Sequence, residues 1–199
     1  MDGLTVRLAS GNPHKARELA VLLPGWEIES LHAGPMPEEV GATFYENARA
    51  KARYGRTVTE PGAWVLGEDS GLEVEGLDGR PGIHSARYAG EDASDEDNVE
   101  RLLEELAGVG PDGRRARYVC ELVCLSPELG ELRGSGTLEG RIAEEPRGSA
   151  GFGYDPVFVP DGESRTVAEL GDEWKAGSSH RARAARALRE AVGSTLREE

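Results

Sequence analysis

The chain has 199 residues, a formal net charge of -14 and two cysteines, which suits one domain that folds without metal or disulfide staples. The negative charge argues against a nucleic-acid partner, because a negative surface repels a polyanion. No apolar stretch approaches the roughly 18 residues of a membrane span. Residues 1–8 also lack the apolar core of a signal peptide, so we expect a cytoplasmic protein without membrane contact.

The first half of the chain predicts alternating strands and helices. Residues 4–9 and 26–31 are predicted strands, and the helix between them reaches about residue 23. Asn12 suits the N-cap of that helix and Pro13 its first position. Thr43 and Glu46 predict a capping box that opens a helix reaching about residue 54.

The remaining elements continue this pattern. The apolar run 63–66 predicts a strand that ends in a loop exposing Glu68 and Asp69, and a further strand starts at Leu72. Interleaved strands and helices predict an α/β class with a mixed sheet in one domain, 1–199. The later predictions are a helix capped by Ser94 or Asp95, a hairpin of 118–125 with 131–138, a strand at 157–159, a helix capped by Thr166, and a terminal helix starting at Ser178 or Ser179.

The two cysteines, Cys120 and Cys124, lie four residues apart on a predicted strand. On a strand that spacing is about 13 Å, beyond the reach of a disulfide. We expect both to be small buried residues with free thiols.

Lysine is rare in this chain, with three lysines against twenty arginines. Lys15, Lys51 and Lys175 each lie near a glycine-rich or acidic stretch. An ammonium is a point charge that can follow a phosphate through a reaction, whereas a guanidinium prefers a fixed forked geometry. The placement indicates phosphate binding, with chance as the alternative.

The turn from Ser10 to Lys15 is a candidate phosphate cradle. A helix N-terminus there would present free backbone N–H groups and a positive dipole end, and Gly11 would let the backbone come close. Many α/β proteins turn in this way, and the P-loop spacing is missing.

Acidic residues supply a candidate metal site. Glu68 and Asp69, with Glu38 and Glu39, are hard oxygen ligands near lysines, as a magnesium–nucleotide site requires. The alternative for Glu68 and Asp69 is a solvated turn.

A glycine-rich loop, 151–156, contains two aromatic side chains and Asp155. Such a loop can stack a base, and His180 with Arg181 would supply donors to a purine 6-oxo group. The alternative makes Phe152 and Tyr154 core residues and His180 a helix cap.

Together these motifs resemble the inosine triphosphate pyrophosphatase family, also called XTP/dITP diphosphatases. The likeness spans residues 10–181 in the family's order. The matching stretches are Ser10-Gly11-Asn12 with Lys15 and Glu18; Thr43-Phe44 with Glu46-Asn47-Ala48 and Lys51-Ala52; Asp69-Ser70-Gly71-Leu72; Pro81-Gly82 with Ser85 to Gly90; Gly151 to Pro156 with Phe158; and Ser179-His180-Arg181.

The resemblance implies an elongated, two-lobed mixed-sheet fold with the active site in the cleft between lobes, and a homodimer. It implies magnesium-dependent hydrolysis of ITP, dITP or XTP to the monophosphate and pyrophosphate, which cleanses the nucleotide pool. Asp69 matches the general base and a metal ligand, Glu39 matches the other metal ligand, and Glu68 is a further candidate. The implied substrate-binding residues are Ser10, Gly11, Asn12, Pro13, His14, Lys15, Lys51, Ser70, Phe152, Gly153, Tyr154, Asp155, Lys175, His180 and Arg181.

Two departures from the family pattern leave alternatives open. The family commonly has two aspartates where this chain has Glu68 and Asp69, and a glycine where it has Ala182. The longer glutamate shifts the carboxylate oxygens by about one methylene, which affects metal geometry. The alternatives are a pyrophosphatase for modified or ordinary nucleotides, and a non-hydrolytic nucleotide-binding sensor.

Overall fold

Strands and helices interleave along the computed structural model, which describes residues 3–31, 37 and 39–195. Short 3-10 helices lie at Glu75–Leu77, Gly82–Arg87 and Pro111–Arg114. The strands are β1 (Leu4–Ala9), β2 (Trp26–Ser30), β3 (Trp64–Val74), β4 (Arg115–Ser126), β5 (Gly130–Ile142) and β6 (Phe158–Pro160). The helices are α1 (Pro13–Leu22), α2 (Phe44–Val58), α3 (Asp95–Glu105), α4 (Val167–Ser178) and α5 (His180–Thr195).

The strands form a mixed sheet in the order β2-β1-β3-β4-β5-β6. β1 pairs in parallel with β2 and with β3. β5 pairs antiparallel with β6. The predicted α/β class with a mixed sheet is therefore confirmed.

The chain divides into two compact units, and β3, β4 and β5 each contribute residues to both. The first unit comprises Met1–Asp69, Cys120–Gly136 and His180–Glu199, and the second comprises Ser70–Val119 and Thr137–Ser179. Each unit has its own apolar core. The first core includes Leu8, Leu19, Leu66, Leu122 and Leu188, and the second includes Leu72, Val99, Leu102, Tyr118 and Phe158.

Helix starts follow local side-chain chemistry. Asn12 caps α1 as predicted, since its side chain accepts hydrogen bonds from the N–H groups of His14 and Lys15. Capping boxes start α3 at Ser94 and α4 at Thr166, and each satisfies two otherwise unpaired donors.

The predicted capping box of α2 is wrong in one half. Thr43 accepts the Glu46 N–H as expected. The Glu46 carboxylate instead accepts the N–H of Ala42, at 2.7 Å. Glu46 therefore secures the residue before the cap, because its side chain reaches one residue further back than a closed box requires.

The predicted break after residue 66 is also wrong, because β3 runs without interruption through Glu68 and Asp69. Both acids are buried, with relative exposures of 0% and 4%. The sequence predicted a loop here because charged side chains are usually exposed to solvent. Nearby cations compensate that charge, so the strand continues.

Cys120 and Cys124 are buried free thiols, as predicted. Burial raises the pKa of both thiols, that of Cys124 to about 12. Neither is therefore a reactive thiolate near neutral pH. Within the described part of the chain, no helix combines the length and apolar character that spanning a bilayer would need.

Candidate active site

The first unit places Glu68 and Asp69 side by side in β3. Consecutive side chains of a strand point to opposite faces of the sheet. Glu68 contacts residues of α1 and α5, whereas Asp69 contacts residues of α2. Two neighbouring carboxylates are thereby separated into two different polar environments.

Gly67 lets α2 approach the strand at this point. A Cβ atom built at Gly67 would collide with the carbonyl oxygen of Ala48, and would lie 2.6 Å from the backbone nitrogen of Ala52. The close approach brings Asn47 and Lys51, four residues apart on one face of α2, to Asp69.

Asp69 is held by two groups from that helix. Lys51 Nζ lies 2.8 Å from Oδ1, and the Asn47 amide donates to Oδ2 at 3.2 Å. Lys51 Nζ also lies 2.5 Å from Oε1 of Glu39. Two carboxylates therefore converge on one ammonium, while Glu38 lies outside the described residues.

Burial and charge act in opposite directions on this pair. Burial raises the pKa of Asp69, and the positive charges of Lys51 and Lys15 oppose that rise. Burial works against the charge of Lys51, but Asp69 and Glu39 outweigh it and raise the pKa of the ammonium. Asp69 therefore has more proton affinity than an ordinary aspartate, which suits a general base.

Glu68 is shared between two cations. Lys15 Nζ lies 2.8 Å from Oε2 as an ion pair. The Nε and Nη2 atoms of Arg181 lie 3.3 and 3.0 Å from Oε1. Arg181 also contacts Glu18 through Nη1, and the thiol of Cys120 lies 3.6 Å from Oε1 of Glu68.

The two cations keep Glu68 ionised although it is completely buried. Burial by itself would raise the pKa of this carboxyl, but Lys15 and Arg181 hold it far below its usual range. Arg181 is buried as well, at 2% exposure. A buried charge of this kind is tolerated only when it is paired and hydrogen-bonded.

The turn from Ser10 to Lys15 differs from the predicted phosphate cradle in one respect, because several of its backbone N–H groups already have acceptors. Asn12 Oδ1 accepts the N–H groups of His14 and Lys15, at 2.8 and 3.3 Å, and Pro13 has no N–H. The N–H of Asn12 itself donates to the Ser10 hydroxyl at 3.2 Å. The same N–H groups were predicted both to be capped by Asn12 and to bind phosphate. In this structure they donate to the Asn12 side chain. Gly11 lies exposed in this turn.

The second unit carries a separate polar cluster around Asp155. Lys175 Nζ and the Phe152 N–H contact Oδ2 of Asp155, at 2.8 and 3.0 Å. The Tyr118 hydroxyl donates to Oδ1 at 3.3 Å. Lys175 Nζ also lies 4.7 Å from the centre of the Phe152 ring. The cluster thus joins an aromatic face to a buried ion pair.

Glycine is required at the start of this loop. Gly151 has φ +81°, and a Cβ there would collide with the Asp155 carboxylate. The N–H of Gly153 donates to Asp95 at 2.7 Å. Tyr154 is in the core of the second unit, where its hydroxyl donates to the Ser85 carbonyl at 2.9 Å.

Two predicted residues mark where the chain passes between units. Ser70 begins the second unit directly after Asp69 in β3 and is half-buried. His180 is buried at the first position of α5, and the residue before it, Ser179, has extended backbone angles.

Comparison with known proteins places the chain among its relatives. The sequence pattern of the Ham1 family matches residues 6–191. The chain belongs to the Ham1 family. It is 49% identical over 192 residues to a dITP/XTP pyrophosphatase from Opitutus terrae, covering 91% of this chain and 95% of that protein. It is 48% identical to a dITP/XTP pyrophosphatase from Thermus thermophilus, covering 96% and 93%.

Solved structures of Ham1 proteins share the fold. The Ham1 protein of Staphylococcus aureus superimposes with a TM-score of 0.84 at 37% identity, covering 96% of this chain and 98% of that one. The family suggested by the sequence motifs is therefore confirmed.

No role was predicted for Asn47 or Glu18, although each contacts a residue of the candidate site. Asn47 contacts Asp69, and Glu18 contacts Arg181. Their positions offered a signal, because Asn47 precedes Lys51 by four residues and Glu18 follows Lys15 by three, which places each pair on one helix face.

Proposed function

We propose that this chain hydrolyses non-standard purine nucleoside triphosphates, namely ITP, dITP and XTP, to the monophosphate and pyrophosphate. The names of the Ham1-family relatives support this activity. The structural observation that carries it is the buried Lys51–Asp69 pair, because it places a carboxylate of raised proton affinity beside a cation. The role would be to cleanse the nucleotide pool in the cytoplasm.

The proposed chemistry uses Asp69 as the base. Asp69 orients a water and takes its proton as the water oxygen bonds to the α-phosphorus. The bond from the α-phosphorus to the bridging oxygen then breaks, and pyrophosphate leaves with the electron pair. Positioning and charge stabilisation supply most of the rate in such phosphoryl transfers.

The lysines are proposed as the phosphate-binding cations. Lys15 and Lys51 belong to the same unit as Asp69, and both lie within 2.8 Å of a carboxylate oxygen. Each ammonium would exchange part of that contact for phosphate oxygens. Ser10 would add a hydroxyl donor at the turn before α1.

The carboxylates fit a magnesium ion at one position. Oxygens of Asp69 and Glu39 both contact the Lys51 ammonium, so the two carboxylates lie close enough to share one cation beside it. No set of three His, Cys, Asp or Glu side chains is arranged for a metal among residues 3–31, 37 and 39–195. Magnesium commonly uses one or two carboxylates, with water and substrate phosphates as its other ligands. When bound, it would neutralise charge on the triphosphate.

Base selection is assigned to hydrogen-bond donors. The proposed donors are those of Arg181 in the first unit, whose guanidinium carries only N–H donors. A 6-oxo group accepts hydrogen bonds, whereas the 6-amino group of adenine would set donor against donor. Unpaired polar groups of this kind allow rejection by several powers of ten.

A nucleotide screen tests the proposal. Pyrophosphate release would be measured with ITP, dITP, XTP, ATP, dTTP and UTP, with magnesium and with EDTA. We expect fast release from the first three in magnesium alone. Equal turnover of ATP and ITP would contradict the base assignment, turnover of dTTP or UTP alone would favour a pyrimidine enzyme, and no release above the no-enzyme control would favour a binding protein.

The oligomeric state is a separate proposal. The resemblance to the family implies a homodimer, and light scattering on the purified chain measures its mass directly. A mass near 43 kDa, twice the chain mass of 21.3 kDa, is expected. A monomer at all concentrations would contradict it.

A further inference from the structure

Glu68 has no role in the proposed chemistry, yet its side chain is more deeply buried than those of Asp69 and Glu121 in the same unit. Its relative exposure is 0%. Its two oxygens divide between different cations, with Lys15 on Oε2 and Arg181 on Oε1. One buried carboxylate thus contacts two positive groups, which come from α1 and α5.

The two cations belong to different parts of the proposed nucleotide contact. Lys15 is assigned to the triphosphate, whereas Arg181 is assigned to the base. Arg181 is 113 residues away from Glu68 in sequence, so the contact is set by the fold. Glu18 contacts Arg181 through Nη1 only, whereas Glu68 contacts both Arg181 and Lys15.

We propose that Glu68 is a positioning residue whose carboxylate holds the phosphate-binding Lys15 and the base-recognising Arg181 in one arrangement, and thereby links recognition of the two ends of the nucleotide. This inference rests on the proposed function. It also gives Glu68 a role distinct from metal binding, because both of its oxygens already face cations of the protein.

The geometry explains why the charge matters. A glutamine at this position keeps the size but offers one acceptor and one donor. The amide donor would face either Lys15 or Arg181, both of which carry only donors. Loss of the shared charge therefore disturbs both cations, whereas a defect in either cation alone would disturb one end of the nucleotide.

Two measurements report separately on the two ends of the bound nucleotide. Inhibition by tripolyphosphate reports the phosphate end, because this probe has no base. The ratio of kcat/KM for ITP to that for ATP reports the base end. In Glu68→Gln we expect the tripolyphosphate inhibition constant to rise about tenfold and the ITP/ATP ratio to fall about tenfold.

The matched control is Glu121→Gln in the same unit. Glu121 is also buried, at 6% exposure, and pairs with Arg133 at 2.7 and 2.8 Å. We expect its substitution to lower the melting temperature while both readouts stay at the wild-type values. Arg133 itself is half exposed, so this control separates loss of the charge of a buried glutamate from loss of positioning.

Several outcomes would overturn the inference. A folded Glu68→Gln with both readouts unchanged would do so, as would tighter tripolyphosphate inhibition, which would mean that Glu68 only competes with phosphate for Lys15. A change confined to the magnesium concentration for half-maximal activity would instead make Glu68 a metal ligand.

A second variant keeps the test decisive if Glu68→Gln does not fold. Glu68→Asp introduces the aspartate that is common in the family and keeps the charge, but at the present backbone positions its shorter side chain lies further from Lys15 and Arg181 than 2.8 and 3.0 Å. We expect smaller shifts of both readouts in the same directions, and unchanged values in the folded Asp variant would overturn the inference. If wild-type protein releases no pyrophosphate from ITP, the proposed function fails instead.

Discussion

Lys51 Nζ and Asp69 Oδ1 lie 2.8 Å apart, and both residues are buried. The pair joins the middle of α2 to β3 beside Gly67. This contact keeps a carboxylate inside the protein in a defined orientation, and it leads directly to the first prediction.

Asp69→Asn removes the proposed base and keeps the size of the side chain. We expect kcat for ITP to fall about 10²–10⁴-fold, the range for general-base catalysis. Circular dichroism should show a folded protein, since an amide oxygen still accepts from Lys51. Near-normal turnover by the folded variant would remove Asp69 from this role.

Lys15→Arg tests the need for a compact ammonium. The guanidinium keeps the positive charge but prefers a planar, forked contact, whereas the Lys15 ammonium meets a single oxygen of buried Glu68 at 2.8 Å. We expect kcat/KM for ITP to fall about tenfold or more. Arg7→Lys is the control with the opposite exchange and should keep the wild-type kcat/KM, because Arg7 pairs with Glu60 at the surface of the same unit. A wild-type value for Lys15→Arg would show that charge alone suffices.

Gly67→Ala tests the close approach of α2 to β3. The added Cβ collides with the Ala48 backbone, so we expect a loss of about 1–3 kcal/mol in the free energy of unfolding. Gly193→Ala is the matched control, because a Cβ there meets nothing within 4 Å and should stabilise α5 by about 0.5 kcal/mol. Urea denaturation measures both, and equal stability of the two variants would refute the tight contact.

Tyr88 gives a prediction for alkaline pH. Its hydroxyl donates to Glu105 at 2.7 Å, and burial together with that carboxylate raises the pKa of Tyr88 from 10.0 to about 12. The raised pKa means that the fold favours the neutral phenol. Its stabilising contribution is therefore complete below pH 10 and is lost as the pH rises through about 12.

The comparison with Tyr88→Phe isolates this effect from the other tyrosines. We expect wild type to melt at a higher temperature than the variant by a constant margin from neutral pH to pH 10, because Glu105, whose pKa the Tyr88 hydrogen bond lowers, stays ionised over that range. The margin should shrink steadily at higher pH. A margin that stays constant up to pH 12 would contradict the shift of the Tyr88 pKa.

Local sequence chemistry was sufficient for several features. Asn12 and Pro13 predicted the start of α1, Thr166 caps α4 as predicted, and Ser94, one of the two predicted caps, starts α3. Such signals involve groups within four residues of each other, so they act before any tertiary contact forms. The ordered motifs around Lys15, Lys51 and Asp69 also sufficed to indicate the family.

Tertiary structure decided what the charged residues contact. The sequence alone suggested an exposed loop at Glu68 and Asp69, because isolated acids are costly to bury. The fold instead brings Lys51 to one and Arg181 with Lys15 to the other. Those partners lie up to 113 residues away, and strand alternation assigns the two acids to opposite faces. Residue type established that cations and carboxylates are present, but only long-range packing determined which of them pair.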